Sequence, residues 1–207
     1  MARAPEFDRT RALEAAMKLF WARGYTATSL PDLLAAMGIA RSSFYASFGN
    51  KRELFREALE LFGDRTLAII EKDAKRLPAT ALPRAFFNTT VLEVSKRQAK
   101  FGCMLVNTVL ELAAVDPPLN QLAAQQLSNI ENTFAEVFHL AQHSGEMDST
   151  RSPRELASVV MTLNFGLRVQ SRTNLPRQAL ERIIDNSLSM LGLAARPIST
   201  KEVHHVV

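Results

Sequence analysis

Apolar positions recur at helical spacing along almost the whole chain. Leu13, Ala16, Met17 and Phe20 follow the i, i+3, i+4, i+7 rule and predict a first helix from about Asp8 to Arg23, closed by Gly24. Leu30 to Met37 reads as a short second helix, with Ser29 as N-cap, Asp32 three residues on and Pro31 in the first turn. Gly38 stands where a left-handed residue ends such a helix most cheaply. Arg41 to Phe48 follows as a third helix with Phe44 and Phe48 on its inner face. Asn50 then caps a long helix to about Lys75, which carries Leu54, Ala58 and Leu61 beside Phe55, Leu59 and Phe62.

Beyond the joint marked by Pro78 and Pro83, four further segments are predicted before the last helix. They run from about Pro83 to Lys96, Cys103 to Ala114, Pro118 to Ser144 and Arg154 to Arg172. A helix from Pro176 to Leu193 closes the series, and residues 194–207 read as a flexible tail. With so few β-branched runs, the expectation is an all-α fold of about nine helices.

Leu30 to Leu54 organises the rest. Two short helices at a sharp turn leave Arg41, Ser42, Ser43, Tyr45 and Ser47 on the outer faces of the second. Hydroxyls, a guanidinium and a phenol on so small a helix suit the base edges and phosphates of a major groove, which makes the pair a helix-turn-helix. Charge agrees with this. Residues 1–56 hold nine Lys or Arg against five Asp or Glu, whereas the remainder holds sixteen of each. The whole formal charge of +4 therefore lies on the segment with the motif.

Thr28-Ser29-Leu30, Gly38-Ile39-Ala40, Phe44-Tyr45-x-x-Phe48 and Lys51-x-x-Leu54 together resemble the DNA-binding domain of TetR-family transcriptional regulators, over about residues 8 to 56. Two positions depart from the family pattern. Ala40 stands where a Ser or Thr cap is common, and Ser47 where a His is frequent. The resemblance implies a dimeric, ligand-responsive regulator, most simply a repressor of a palindromic operator. It divides the chain into a DNA-binding domain (1–50) and a helical ligand-binding and dimerisation domain (51–193), with 51–75 as the link between them.

Candidate DNA-binding residues are Thr28, Ser29, Arg41, Ser42, Ser43, Tyr45, Ser47 and Lys51. Of these, Arg41, Ser42 and Ser43 are assigned to base edges, and Thr28, Tyr45, Ser47 and Lys51 to phosphates. A possible effector cavity is assigned to Phe86, Phe101, Cys103, Met104, Asn107, Phe134, Phe138, Met161, Phe165 and Arg168, although aromatic and Met residues at helical spacing are more often simply core. In TetR-like proteins the last two helices build a four-helix bundle with those of a second subunit. That role is given to Leu156, Val160, Leu163, Leu167, Leu180, Ile184, Leu188 and Leu191, while each helix retains enough apolar surface for a second stripe.

Cys103 is the one cysteine, which excludes an internal disulfide. It reads either as a small buried apolar residue or as a thiol at a helix N-terminus near Arg97 and Lys100. Gly102-Cys103-x-Leu105-Val106 also resembles a subset of TetR-like regulators that sense electrophiles or oxidants here, so the effector class is small and apolar or electrophilic. His139 and His143 are too few for a zinc site, and no cofactor is expected. No nucleophile–base pair suggests an enzyme. The N-terminus lacks a signal-peptide core and no apolar run is long enough to cross a bilayer, so the expected location is the cytoplasm, with no membrane partner. A helical interaction module that does not bind DNA is the rival class. It would leave the charge and the polar face of residues 1–56 unexplained.

Overall fold

The computed structural model describes residues 7–173 and 175–194, and all its regular elements among these are helical. Of the segment read as a flexible tail, 194–207, only Ala194 is among them. The helices are α1 (Arg9–Arg23), α2 (Leu30–Met37), α3 (Arg41–Phe48), α4 (Lys51–Ala74), α5 (Leu82–Phe87), α6 (Lys96–Ala99), α7 (Met104–Leu112), α8 (Pro117–His143), α9 (Pro153–Gln170) and α10 (Arg177–Met190). With α6 a single turn, nine helices remain among the described residues, as the periodicity predicts.

The described residues pack as two compact units. The first takes the chain up to Arg65 together with Phe101–Ser128; the second takes Thr66–Lys100 and the chain from Asn129 onward. In the first unit, α1 starts because the Asp8 carboxylate accepts from the Arg11 N–H at 3.1 Å. Its inner face buries Ala12, Ala16, Met17 and Phe20. Phe20 meets the edge of Phe55 at 4.8 Å, and Leu33, Phe44, Leu54, Ala58 and Leu59 close the core around them. Arg65 of α4 pairs with Glu14 of α1. Gly63 is also tied to its neighbour, since any Cβ there would run into the side chain of Gln126 on α8.

The second unit is organised by aromatic packing. Phe134 of α8 is fully buried, with Phe86 of α5 edge-on at 5.4 Å and Phe138 at 6.1 Å. Arg84, also buried, reaches from α5 to Asp185 of α10 at 3.3 Å.

One predicted helix is broken. The span from Pro83 to Lys96 is helical only to Phe87, opens into a wide turn over Asn88–Leu92, and restarts as α6. In the turn the Glu93 N–H donates to the Asn88 carbonyl at 2.8 Å, one residue further than an α-helix reaches. The β-branched run Thr89-Thr90-Val91 weakens the helix there. The freed Thr90 carbonyl accepts from Nη1 of Arg168 at 2.5 Å. Ser95 then starts α6 with its own capping box to Gln98.

Truncating Phe134 to Ala should remove about 3–5 kcal/mol of stability, because the surrounding rings cannot collapse into the space. Urea unfolding of both proteins checks this, and a loss under about 1 kcal/mol would show that the aromatic cluster is not the core described.

Candidate nucleic-acid interface

The interface is built in the first unit, beginning at the turn between α1 and α2. Ser29 caps α2 through a complete capping box with Asp32, whose carboxyl is held below its usual range, first of all by the Ser29 hydroxyl. Arg23 adds an ion pair to Asp32 at 3.1 Å. Gly38 takes φ +65° and ends the helix. Ala40 makes no side-chain hydrogen bond to cap the start of α3.

Phe44 and Phe48 supply the packing of α3. Both are buried, and Tyr45 stands edge-on to Phe44 at 5.4 Å while remaining 48% exposed. Arg41 and Ser42 are exposed, and Ser43 and Ser47 half-buried. The far end of α3 is held by Arg9. Its guanidinium lies over the Phe48 ring at 4.6 Å, donates to the Ser47 carbonyl at 3.2 Å and pairs with Glu57 of α4 at 2.8 Å.

Asn50 caps α4 by accepting from the Glu53 N–H at 2.9 Å. Lys51 follows at once, with its ammonium 4.4 Å from the centre of the Tyr25 ring. Partial burial pulls the Lys51 pKa below the usual lysine value, against the opposing pull of the Glu111 carboxylate. A phosphate would restore the charge's favourable surroundings. Thr28, assigned above to a phosphate, turns its hydroxyl inward. It is fully buried, and its hydroxyl donates inward to the Gly24 carbonyl at 2.6 Å.

Two contacts from the later part of the chain were not expected from sequence. Arg52 grips Asp116 with two hydrogen bonds, of 2.7 and 3.0 Å, and Asp116 also accepts from the Leu119 N–H at 3.1 Å as α8 begins. Glu111 of α7 accepts from the N–H groups of Tyr25 and Thr26 at 3.1 and 2.7 Å. The separations of 64 to 86 residues leave no local trace in the sequence.

Residues 12–65 match the family of bacterial regulatory proteins, tetR family, and residues 81–186, about half the chain, match the tetracyclin repressor-like C-terminal domain. The chain belongs to the TetR family. It is a regulator of the DNA-binding, helix-turn-helix class. Similar proteins include the uncharacterized HTH-type transcriptional regulator YezE of Bacillus subtilis, 28% identical over 92% of this chain and 100% of that one. The HTH-type transcriptional repressor ComR of Escherichia coli is 27% identical, covering 89% of both chains. Among solved structures, the TetR-family regulator CifR, as a cysteine mutant complexed with a 26 bp operator duplex, superposes with a TM-score of 0.81 at 29% identity, over 90% of this chain and 98% of that one.

The residues assigned to an effector cavity fall in both units of this TetR-family protein. Phe101, Cys103, Met104 and Asn107 lie in the first. Phe101 packs on Trp21 at 5.7 Å, Trp21 Nε1 donates to the Gly102 carbonyl at 3.1 Å, and Asn107 Nδ2 to the Phe101 carbonyl at 2.7 Å. Cys103 is buried and precedes α7 as its N-cap without a side-chain cap bond. Phe86, Phe134, Phe138, Met161, Phe165 and Arg168 lie in the second unit, where Arg168 is engaged by Thr90 and by Asn164 at 3.4 Å.

Leu156, Val160, Leu167, Leu180, Ile184 and Leu188 are buried by their own unit. Leu163 and Leu191 stay half-buried and share an outward apolar groove between α9 and α10 with Val159, Gly166, Ile183 and Met190. The signal was the second stripe at the same spacing, Val159–Leu163–Gly166 and Ile183–Ser187–Met190. His139 and His143 are exposed, and among the described residues no three potential ligands gather as a metal site. No described helix is long and apolar enough to cross a membrane.

Asp116 gives a pH prediction. Hydrogen bonds from Arg52 chiefly hold its carboxyl below the usual range, burial opposes them, and the Leu119 N–H assists. Because the folded pKa is the lower one, the unfolded chain binds the proton first as pH falls. The stabilisation is complete above the ordinary carboxylate range of about pH 4 and is lost as pH drops through the folded value. In a series of Tm measurements against pH, Asp116→Asn should lower Tm at neutral pH and flatten the acid limb. An unchanged acid limb would count against the assignment.

Proposed function

We infer that the protein is a dimeric repressor that holds a palindromic operator and is released from it by a small apolar or electrophilic effector. The exposed polar face of α3, anchored from behind by Phe44 and Phe48, carries this reading. Operator DNA bound to CifR supports it, as does the repressor ComR. Arg41, Ser42 and Ser43 read base edges, whereas Tyr45, Ser47 and Lys51 hold phosphates, with Ser29 at the start of α2 beside them. One eight-residue helix contacts too few base pairs for useful specificity. Two such helices, about one turn of DNA apart, supply it.

The second copy seats on the groove between α9 and α10. Val159 is 47% and Met190 72% exposed there, an arrangement that suits a partner helix pair rather than water. Effector binding favours a state in which the spacing of the two α3 helices no longer matches the operator. The protein does this work in the cytoplasm and needs no cofactor.

Thiol modification is the second reading of the effector step. It is favoured by the place of Cys103 as the N-cap residue of α7. Its burial makes the reaction depend on opening of the segment.

Operator binding is tested with a duplex selected by the purified protein from a random-sequence library. Lys51→Ala should weaken all duplexes about equally and reduce the slope of log affinity against log salt by about 1. Ser42→Ala should instead relax base preference at one position. Absence of salt-dependent DNA affinity would overturn the reading. A mild thiol electrophile added to the complex separates the effector classes. Release of wild type but not of Cys103→Ser assigns the thiol, and equal behaviour of the two assigns a reversible ligand.

The dimer has its own measurement. Met190→Asp paired with Val159→Asp should yield monomers in sedimentation experiments while leaving the helical content intact. A dimer that survives both charges would place the subunit contact elsewhere.

A further inference from the structure

The α1–α2 turn carries a carboxylate from far along the chain. Glu111, on the last turn of α7, accepts from two consecutive N–H groups, Tyr25 at 3.1 Å and Thr26 at 2.7 Å. Gly24 lets it come so close. A Cβ built on Gly24 would lie 2.7 Å from Glu111 Oε2, and the backbone there has φ +84°. Side chain and glycine therefore fit as a pair.

What this grip holds is the platform for Lys51. The Tyr25 ring packs on Phe55 at 4.8 Å and lies under the Lys51 ammonium at 4.4 Å. Glu111 fixes the backbone of Tyr25, the backbone fixes the ring, and the ring fixes the direction of the lysine. Glu111 itself offers nothing to DNA, being anionic and directed at protein N–H groups.

We propose that Glu111 is a positioning residue for DNA reading: from α7, it holds the Gly24–Thr26 turn in the shape that presents Lys51 to a backbone phosphate. This deepens, and rests on, the reading of the protein as an operator-binding regulator. It also makes α7, the helix that follows Cys103, the element whose displacement would disarm Lys51.

Simple electrostatics and positioning give opposite signs, which makes the test sharp. Removing a negative charge from the DNA-binding unit should strengthen binding to a polyanion if Glu111 acts only through its charge. If it positions Lys51, Glu111→Leu in the full-length protein should weaken binding to the selected duplex by roughly tenfold, the scale of one or two lost charge-assisted hydrogen bonds. The salt slope should fall by about 1, the change also expected for Lys51→Met. In the Lys51→Met background the same change should cost little further affinity, because the contact it serves has gone.

Glu111→Gln, which keeps one acceptor, should fall between wild type and Glu111→Leu, and it carries the test if the leucine variant melts early. Binding equal to or tighter than wild type in both variants overturns the proposal. So does an equal loss in the Lys51→Met background, the mark of a general effect on folding. Wild-type protein without salt-dependent DNA affinity would overturn the functional reading itself, a separate result from these.

Discussion

An isolated helix of eight residues is marginal in water, since the minimum for even favourable sequences is about 12–15 residues. The α3 helix has that length, includes three serines and starts at an uncapped Ala40. It exists because Phe44 and Phe48 are driven into the core of the first unit, each contributing on the order of 1.5–3 kcal/mol by burial. The outer face is thereby relieved of any part in folding and free to be chosen for what it touches. Arg9 makes the same anchor tighter from the other side. It covers Phe48, takes the Ser47 carbonyl and reaches Glu57, so that α1, α3 and α4 meet at one guanidinium.

Dependence on that anchor explains why the first unit draws in residues from the middle of the chain. Three short helices offer little apolar area. Leu105, Leu112, Leu119 and Ala123 add buried surface to it, and the polar clamps at Trp21–Gly102, Arg52–Asp116 and Glu111–Tyr25 fix where that surface sits. A helix-turn-helix closed in this way is sensitive to what happens on α7 and the start of α8. Regulation needs such sensitivity.

The sequence was legible where the signal is local. Ser29, Pro31 and Gly38 mark both ends of α2 within a few residues, and the observed helix has the expected bounds. Asp8 and Asn50 did the same for α1 and α4. Legibility failed in two physical situations. Helices α9 and α10 each carry two apolar stripes, and periodicity cannot say which one belongs to the chain's own core; Leu156, Val160, Leu180 and Ile184 turned inward and Val159, Ile183 and Met190 outward. Contacts such as Glu111 to Tyr25 are set by folding and not by neighbourhood, and the glycine at position 24, read as the end of α1, proves also to admit the Glu111 carboxylate.

The wide turn at Asn88–Leu92 has a consequence for how this chain compares with others. A helix that accommodates one residue beyond its normal repeat shifts everything after it by about 100° around the axis. Thr90, Val91 and Leu92 are all buried in succession there. A relative with an unbroken helix here would fall one position out of phase after Leu92. The mismatch would persist to Ser95, where the capped start of α6 resets the count.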